Sequence, residues 1–342
     1  MDNLTHSLVG ALLGQMGLKR KTGLAMPTLI IAANIPDIDV VTLLLGGHQH
    51  LALRRGVTHG PIAMVVLPLL LWGAILWFDR WQMKRGTRPT ARPPLDKYWL
   101  LALAYIGCLT HPLFDWFNSY GIRLLEPFSS QWYYGDTLFI IDIWIWIALG
   151  LGVWLSLKRE RMFSPNPQHP ALAAFALVLA YINLNAGISR QATVATKEAI
   201  TKGASIDHIE QIIANPVPFK FWRREIIFGS PNNYYKTQFS AFDPKPVKVR
   251  VAGMEIARHA PHIVDIEKLT AKNSDFSDFL FWSRMPIDAM IEQSGNRSAV
   301  IRDARFFDPL VADRFTVSMD LTGYEGTVDP AETETCCKKL EK

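Results

Sequence analysis

Residues 98–116 read YWLLALAYIGCLTHPLFDW, an apolar run that ends with His111 and Asp115 four positions apart. A helix that crosses a bilayer needs about 20 mostly apolar residues, and this run approaches that length. Side chains four positions apart share one helix face, about 6 Å from each other. The stretch therefore predicts a membrane helix that carries two potential metal ligands side by side near one end.

Other parts of the chain have the same apolar character. The predicted membrane spans are Pro61–Phe78, Tyr98–Phe114, Thr137–Leu157 and Pro170–Gly187. Two further apolar stretches, Leu4–Leu18 and Leu24–Leu45, predict an N-terminal helical pair. Pro36 disfavours helical geometry at the residue before it and removes a donor, so the second stretch is predicted to be a broken helix.

Composition and charge agree with a membrane protein. Of the 342 residues, 49% are hydrophobic and 20% are charged, which excludes a disordered chain. Basic clusters at Lys19–Lys21, Arg80–Lys97 and Lys158–Arg161 fall in alternate connections. Because positive loops stay in the cytoplasm, one topology accounts for all three clusters. It places the N-terminus and everything after about residue 188 on the opposite side. The basic residues are dispersed among loops, so nucleic-acid binding is not expected.

After about residue 190 the chain becomes polar, with Pro and Asn turns between short runs. Lys248–Val251 and Arg314–Met319 alternate as half-buried strands do, whereas Ser205–Ala214 and Val264–Ala271 are predicted helices. The expected fold class is an all-α multi-span membrane domain followed by a smaller soluble α+β domain. The expected boundaries are residues 1–190 and 191–326, with a disordered tail at 327–342.

Ionisable residues inside apolar stretches are costly in a membrane and functional by default. Eight such residues are His6, Asp37, Asp39, His59, His111, Asp115, Asp136 and Asp142. The predicted topology brings all eight to the same membrane face. Each one alone could be a helix cap or a solvated residue, but their joint occurrence at one depth favours a site. His and Asp donors without Cys suit Zn²⁺, Mn²⁺ or Fe²⁺, and this many carboxylates is compatible with two or three ions.

Two further groups of polar residues lie between the second apolar stretch and the next span. Arg54 and Arg55 precede Gly56-Val57-Thr58-His59, where they either snorkel to lipid head groups or hold a substrate anion. His48 and His50 lie in a glycine-flanked loop and are predicted to be solvated.

Several short motifs, in this order and spacing, resemble one known family. They are Asn3-Leu4-Thr5-His6-Ser7-Leu8, Asn34-Ile35-Pro36-Asp37-Ile38-Asp39, Arg55-Gly56-Val57-Thr58-His59-Gly60 and Leu109-Thr110-His111-Pro112-Leu113-Phe114-Asp115, followed by Tyr120-Gly121, Pro127-Phe128-Ser129 and Ile140-Ile141-Asp142. Over about residues 1–160 the chain resembles the YdjM-like inner-membrane metal-dependent hydrolases of bacteria. The resemblance implies a helical membrane domain distantly related to zinc-dependent phospholipase C. It also implies that His6, Asp37, His59, His111 and Asp115 occupy metal-ligand positions. The position after His59, commonly Ser in that family, is Gly60 here.

Together these observations predict a multi-pass protein of the bacterial inner membrane with an extracytoplasmic C-terminal domain. The expected activity is metal-dependent hydrolysis of a phosphoester or another ester bond in a membrane lipid or lipid-like substrate. Zinc is the expected cofactor, with manganese or iron as alternatives. A non-catalytic membrane protein stabilised by metal and a divalent-ion transporter remain as alternative functions.

Each candidate residue has an expected role. Asp39 is expected to be a sixth metal ligand, as a bridging group, or the general base. Asp142 is expected to be a catalytic carboxylate just outside the ligands, with Asp136 beside it. The candidates for binding a substrate phosphate are Arg54, Arg55 and Arg123.

Overall fold

The structure is a computed structural model, and it describes residues 1–46, 48–203, 209–230, 233–243, 255–257, 274–293, 296–306 and 315–321. An N-terminal helical region precedes a smaller domain that contains two antiparallel sheets. The helices of the first region are α1 (Asn3–Gln15), α2 (Ala25–Asn34), α3 (Gln49–Leu53), α4 (Pro61–Arg85), α5 (Lys97–Trp116), α6 (Ile143–Arg161) and α7 (His169–Gly203). Within the described residues, three segments are long and apolar enough to cross a membrane by length and composition, namely Ala25–Leu45, Pro61–Arg85 and His169–Lys202. Two of the predicted spans correspond to α5 and α6, which are helical but are not among these three segments.

Aspartates determine where several helices begin. Asp2, Asp96 and Asp142 each accept hydrogen bonds from two backbone N–H groups in the first turn of α1, α5 and α6. These N–H groups have no partner within the helix, so the caps stabilise the helix ends. The predicted span Thr137–Leu157 therefore begins too early, because the helix starts only after Asp142. Thr137 and Leu138 instead donate their backbone N–H groups to the carbonyl of Phe117.

The predicted break at Pro36 is confirmed. Helix α2 ends at Asn34, and a 3-10 helix, Ile35–Leu45, continues the chain. Asp37 and Asp39 in this 3-10 helix are each only 5% exposed, whereas Ile38 and Val40 are 54% and 47% exposed. The segment thus turns both carboxylates inward and an apolar surface outward.

Glycines allow the central helices to approach closely. The helices pack as a row in the order α4, α5, α2, α1, α6 and α7. A Cβ atom on Gly10 would lie 2.7 Å from the Leu29 carbonyl oxygen, and one on Gly107 would lie 2.7 Å from the Cβ of Ala32. Small residues at such crossings are typical of membrane helix packing. They bring α1 and α5, on either side of α2, near enough for their polar ends to meet.

The C-terminal domain contains seven strands within the described residues. The first sheet has the order β1 (Gln211–Pro216), β2 (Arg223–Gly229), β3 (Asn233–Ser240) and β4 (Glu255–Ala257). The second sheet contains β5 (Pro286–Gln293), β6 (Asn296–Asp303) and β7 (Thr316–Asp320), and helix α8 (Ser274–Trp282) precedes it. All neighbouring strands are antiparallel, with Ile213 opposite Ile227 and Ile301 opposite Val317.

Some secondary-structure predictions for this domain are tested. A strand over Arg314–Met319 is confirmed by β7. The helix predicted over Ser205–Ala214 is wrong at its C-terminal end, because Gln211–Pro216 pairs with β2 as a strand. Residues 205–208, 248–251 and 264–271 and the tail 327–342 lie outside the described residues. The local sequence of Gln211–Pro216 does not distinguish a helix from a strand. The pairing with β2 makes this segment a strand.

The two regions are joined by buried contacts. Helix α7 continues past residue 190 to Gly203, and its last turns pack against the first sheet through Ala192 and Ile200. Arg224 of β2 is fully buried and donates to Ser189 and Asn185 of α7. Around α8, the second sheet packs on Leu51 of α3 and on Tyr120. The C-terminal domain therefore lies against the loops at one end of the helical region.

Candidate metal centre

Four side chains from three separate segments of the chain meet at the end of the helical region that faces the C-terminal domain. Asp37, His59, His111 and Asp115 each offer one ligand atom, and these four atoms lie within 4.8 Å of one another. All four residues are buried. Nε2 of His111 is 3.1 Å from Nε2 of His59 and 3.5 Å from Oδ2 of Asp115. Nε2 of His111 also lies 3.7 Å from Oδ1 of Asp37. Two imidazoles and two carboxylates at such distances form a donor set suited to a divalent cation.

Different elements supply these ligands. His111 and Asp115 lie one turn apart on α5, so the predicted shared face is confirmed. Asp37 comes from the 3-10 helix after Pro36, and His59 closes the short turn Val57–His59 before α4.

Gly60 follows the turn that carries His59. Any Cβ atom at Gly60 would overlap the carbonyl of Glu126. A serine cannot fit there without moving the loop that contains Glu126. The close backbone approach therefore accounts for glycine at this position.

His6 adjoins the four ligands from α1. Its ring stacks on His111 with a centroid separation of 3.8 Å, and its Nε2 atom lies 3.3 Å from Oδ1 of Asp115. Neither ring nitrogen of His6 has a hydrogen-bond partner among the residues that the structure describes. The Met1 amino group also contacts Asp115. Asp115 therefore faces His59 and His111 through one oxygen and His6 through the other.

Hydrogen bonds orient the two histidines of the cluster. The Nδ1 atom of His111 lies 2.7 Å from the Ala33 carbonyl, which only accepts, so Nδ1 carries the proton and Nε2 presents its lone pair to the cluster. Nδ1 of His59 lies 2.9 Å from the Thr58 hydroxyl. Burial, followed by the charges of His111 and Arg55, lowers the pKa of His59 well below its usual value. A neutral imidazole is the form that binds metals.

Asp39 contacts the cluster through His59. Its Oδ2 atom lies 3.5 Å from Nδ1 of His59 and accepts a hydrogen bond from the backbone N–H of Arg55 at 2.8 Å and one from the Thr58 hydroxyl at 3.1 Å. Asp39 is not one of the four converging ligands. Its carboxylate instead holds the segment Arg55–His59 in place and orients the His59 ring.

The three arginines predicted to bind substrate occupy different environments. Arg55 is 2% exposed, and its Nε atom lies 2.9 Å from Oδ2 of Asp115. Arg123 donates to backbone carbonyls of α3. Arg54 donates to Oδ1 of Asp37 at 3.1 Å, and its side chain is 26% exposed. Of the three, Arg54 combines contact with a ligand and access to the surface.

Two of the predicted carboxylates lie away from the cluster. Asp142 caps α6 and accepts a hydrogen bond from the Tyr181 hydroxyl at 3.0 Å. Asp136 forms an ion pair with Arg284 at 2.7 Å. Both carboxylates therefore have structural partners, and the helix-cap interpretation of Asp142 is the one that its contacts support.

The ligands lie in a closed part of the molecule. An open groove of about 550 Å³ is lined by residues of α7 and β1, including Lys197 and Ile212, away from the cluster. A much smaller cavity beside Asp142 and Tyr181 is also separate from it. The convergence of buried ligand atoms, and not a large cavity, therefore distinguishes this part of the molecule.

Three supporting residues were not among the site residues predicted from the sequence. Thr58 contacts both Asp39 and His59. Asn118 accepts a hydrogen bond from Arg55 at 3.0 Å, and the Tyr120 ring stacks against the Arg55 guanidinium at 4.6 Å. Thr58 directly precedes His59, a predicted ligand, and this position in the sequence could have identified it as a supporting residue. Nothing in the local pattern around the other two indicates contact with an arginine more than 60 residues earlier in the chain.

Comparison with known proteins agrees with the membrane assignment. No curated protein and no solved structure matches the chain. The family model described as YdjM inner membrane protein matches residues 1–192, which include all of the cluster and most of α7. The chain belongs to the YdjM inner membrane protein family.

Proposed function

We propose that this protein is a membrane-embedded, metal-dependent hydrolase that cleaves a phosphoester or another ester bond of a lipid-like substrate. The observation that carries the proposal is the convergence of Asp37, His59, His111 and Asp115, whose ligand atoms lie within 4.8 Å of one another. His6 adds a further nitrogen beside Asp115.

The residues fit a divalent cation. His6 is fully buried with neither ring nitrogen hydrogen-bonded, and Oδ2 of Asp37 has no hydrogen-bond partner among the described residues. Leaving buried polar atoms unpaired costs about 1–3 kcal/mol each, and more for charged groups. A cation bound at the cluster would offset part of this cost. The nitrogen and oxygen donors suit zinc, and manganese or iron are compatible with the same set.

The chain supplies the surroundings for hydrolysis. When bound, a divalent cation lowers the pKa of its water and polarises a phosphoryl or carbonyl oxygen. Arg55 holds Asp115, and Asp39 orients His59 and is the candidate to accept a proton. Arg54 is placed to bind an anionic group beside Asp37. The residue Asp142 has no part in this proposal, because it caps α6 and binds the Tyr181 hydroxyl.

An amphiphilic substrate is supported by the surface beside Arg54. The 3-10 helix that carries Asp37 exposes Val41 and Leu44 by 57% and 88%. A substrate with its head group at Arg54 and its acyl chains along these side chains would match both the polar and the apolar features.

The orientation in the membrane is supported by the basic clusters. Lys19–Lys21 follows the C-terminal end of α1, whose first turns carry His6. Lys158–Arg161 ends α6, whose first turn contacts Thr5 of α1 through Trp146, so both clusters lie at the helix ends away from His6. By the positive-inside rule, this supports a site and a C-terminal domain that face away from the cytoplasm.

The proposal is tested by metal analysis and turnover. Detergent-purified wild-type protein is expected to contain a transition metal and to hydrolyse phosphodiester or carboxylester lipid analogues. The variants His111→Ala and Asp115→Ala should lose most of the bound metal and most of the hydrolytic activity. His169→Ala is the matched control, because His169 is exposed at the start of α7. Wild-type metal content and activity in the two ligand variants would refute the proposal.

An alternative function, in which a metal stabilises the fold without catalysis, is favoured by the closed geometry of the cluster. The ligands are between 0% and 5% exposed, and a closed ligand set is typical of structural metal sites. In that case removal of the metal by a chelator would lower the unfolding temperature, while no ester substrate would be turned over. The hydrolase proposal instead requires activity that returns when the metal is restored.

A further inference from the structure

Exposed tryptophans lie where α5 ends and α6 begins. Trp116 ends α5 and Trp144 lies in the first turn of α6, and their side chains are 38% and 40% exposed. Tryptophan is enriched where membrane helices reach the membrane–water interface. Along α6, Ile147 and Leu151 continue the exposed surface with 50% and 49% exposure. These residues form an exposed apolar face on α6 that begins at Trp144 in its first turn.

The loop between β1 and β2 reaches this level. Nε1 of Trp144 donates a hydrogen bond to the Phe219 carbonyl at 3.1 Å. The Phe221 ring packs against Trp144 at 5.8 Å and against Tyr181 of α7 at 5.7 Å. The C-terminal domain is therefore anchored beside the first turn of α6 by this loop.

The same side of the domain presents two phenylalanine side chains outward, with the half-buried Trp222 beside them. We call Phe219, Trp222 and Phe242 the aromatic tip. Phe219 is 62% exposed and Phe242 is 73% exposed, and the Trp222 ring lies 5.8 Å from that of Phe242. Phe219 has φ of 64°, a left-handed conformation that residues with a Cβ atom rarely adopt. The loop therefore holds this large apolar side chain at the surface in a backbone conformation that costs free energy.

Charges beside the tip suit a lipid surface. Lys220 and Arg223 are exposed within and just after the loop, and Asp243 follows Phe242. Exposed aromatic residues with neighbouring cations are typical of segments that bind at the interface between head groups and acyl chains. A cluster of exposed apolar side chains on a soluble domain marks an interaction surface.

We propose that the aromatic tip inserts into the membrane interface, in the leaflet where α6 begins. The partner is lipid because the chain belongs to an inner membrane protein family, and because the tip lies beside the exposed apolar face of α6 that starts at Trp144 and is flanked by the cations Lys220 and Arg223. This gives the C-terminal domain an attachment to the bilayer in addition to α7. The inference does not depend on metal binding or hydrolysis.

The test uses spin labels at single cysteines. Cys336 and Cys337 are replaced by serine, and the buried Cys108 is kept. Phe219→Cys and Phe242→Cys are compared with Gln238→Cys, an exposed position on β3 of the same sheet. The labelled proteins are placed in vesicles of phosphatidylethanolamine and phosphatidylglycerol, and protein without an added cysteine measures background labelling.

The accessibility of each spin label to two paramagnetic relaxation agents shows whether the label lies in lipid or in water. Labels at 219 and 242 should collide mainly with oxygen, which partitions into lipid, and the label at 238 mainly with a water-soluble nickel chelate. Equal access of the nickel chelate to all three positions would overturn the proposal. Spin–spin broadening at 219 or 242 that disappears on dilution with unlabelled protein would overturn it in favour of a contact between two chains.

Discussion

Arg55 and Asp115 form a buried ion pair at the edge of the ligand cluster, with Nε of Arg55 2.9 Å from Oδ2 of Asp115. Arg55 has φ of 52°, so its backbone adopts a left-handed conformation that is rare outside glycine. Its guanidinium stacks on Tyr120, whose ring lies 5.2 Å from that of Trp282 in the C-terminal domain. These contacts connect a candidate metal ligand to the domain that follows the membrane helices.

Arg55→Lys is expected to weaken metal binding. Lysine cannot reproduce the planar contacts with Asp115, Asn118 and Tyr120. Loss of a residue that orients a ligand typically lowers metal affinity roughly 10–100-fold. Competition with a chelator of known affinity measures the change. Arg284→Lys, which alters an ion pair away from the cluster, is the control and should bind metal as the wild type does.

Leu51→Ala is expected to loosen the contact between α3 and the C-terminal domain. Leu51 is 2% exposed and packs in the cluster that contains Phe279 and Trp282. Truncation of a buried leucine costs about 2–5 kcal/mol, whereas Leu53→Ala on the same helix removes a side chain that is 48% exposed. Unfolding in detergent measures the stability of both variants. Equal stability of the two would show that Leu51 does not hold α3.

Gly10→Ala is expected to destabilise the helical region. The added Cβ atom would lie 2.7 Å from the Leu29 carbonyl oxygen, so α1 and α2 must move apart. Overpacking of this kind costs about 1–3 kcal/mol, measured by unfolding in detergent. His6 lies one turn earlier on α1, so metal affinity should fall as well. Gly73→Ala in α4 is the control, because a Cβ atom there has no neighbour within 4 Å. A stability loss in both variants would point to a general effect of alanine instead.

The ionisation of Asp303 is expected to make the stability of the protein depend on pH. Burial opposes its ionisation, but Arg305 and the Ser283 hydroxyl outweigh this and lower the pKa of Asp303 below its usual value. A lowered pKa in the folded state means that the pair stabilises the protein above the ordinary pKa of 3.8, and that this stabilisation is lost as the pH falls through the folded-state pKa. At pH 7 the free energy of unfolding of Asp303→Asn should therefore be about 3–5 kcal/mol lower than that of the wild type. The difference between the two proteins should become smaller in acid.

The measurement for Asp303 is denaturant unfolding at a series of pH values. Glu225→Gln is the control, because the pair between Glu225 and Lys236 is partly exposed and is worth about 1 kcal/mol or less. A difference between wild type and Asp303→Asn that does not change between about pH 7 and about pH 3 would contradict the assignment to Asp303.

Local features of the sequence were sufficient for several conclusions. The apolar runs predicted the helices, Pro36 predicted the break after α2, and the spacing of His111 and Asp115 predicted their shared face. These features depend on backbone geometry within a few residues, which the sequence determines directly. The family membership shown over residues 1–192 agrees with the resemblance drawn from the motifs.

The tertiary structure decided which polar residues meet. Asp142 and His111 both lie near helix ends, yet only His111 faces the other ligands, because packing of α1, α2 and α5 brings their ends together. Arg54, Arg55 and Arg123 have the same charge, and their different partners come from elements more than 15 residues away. Such contacts depend on long-range packing, which no local pattern encodes.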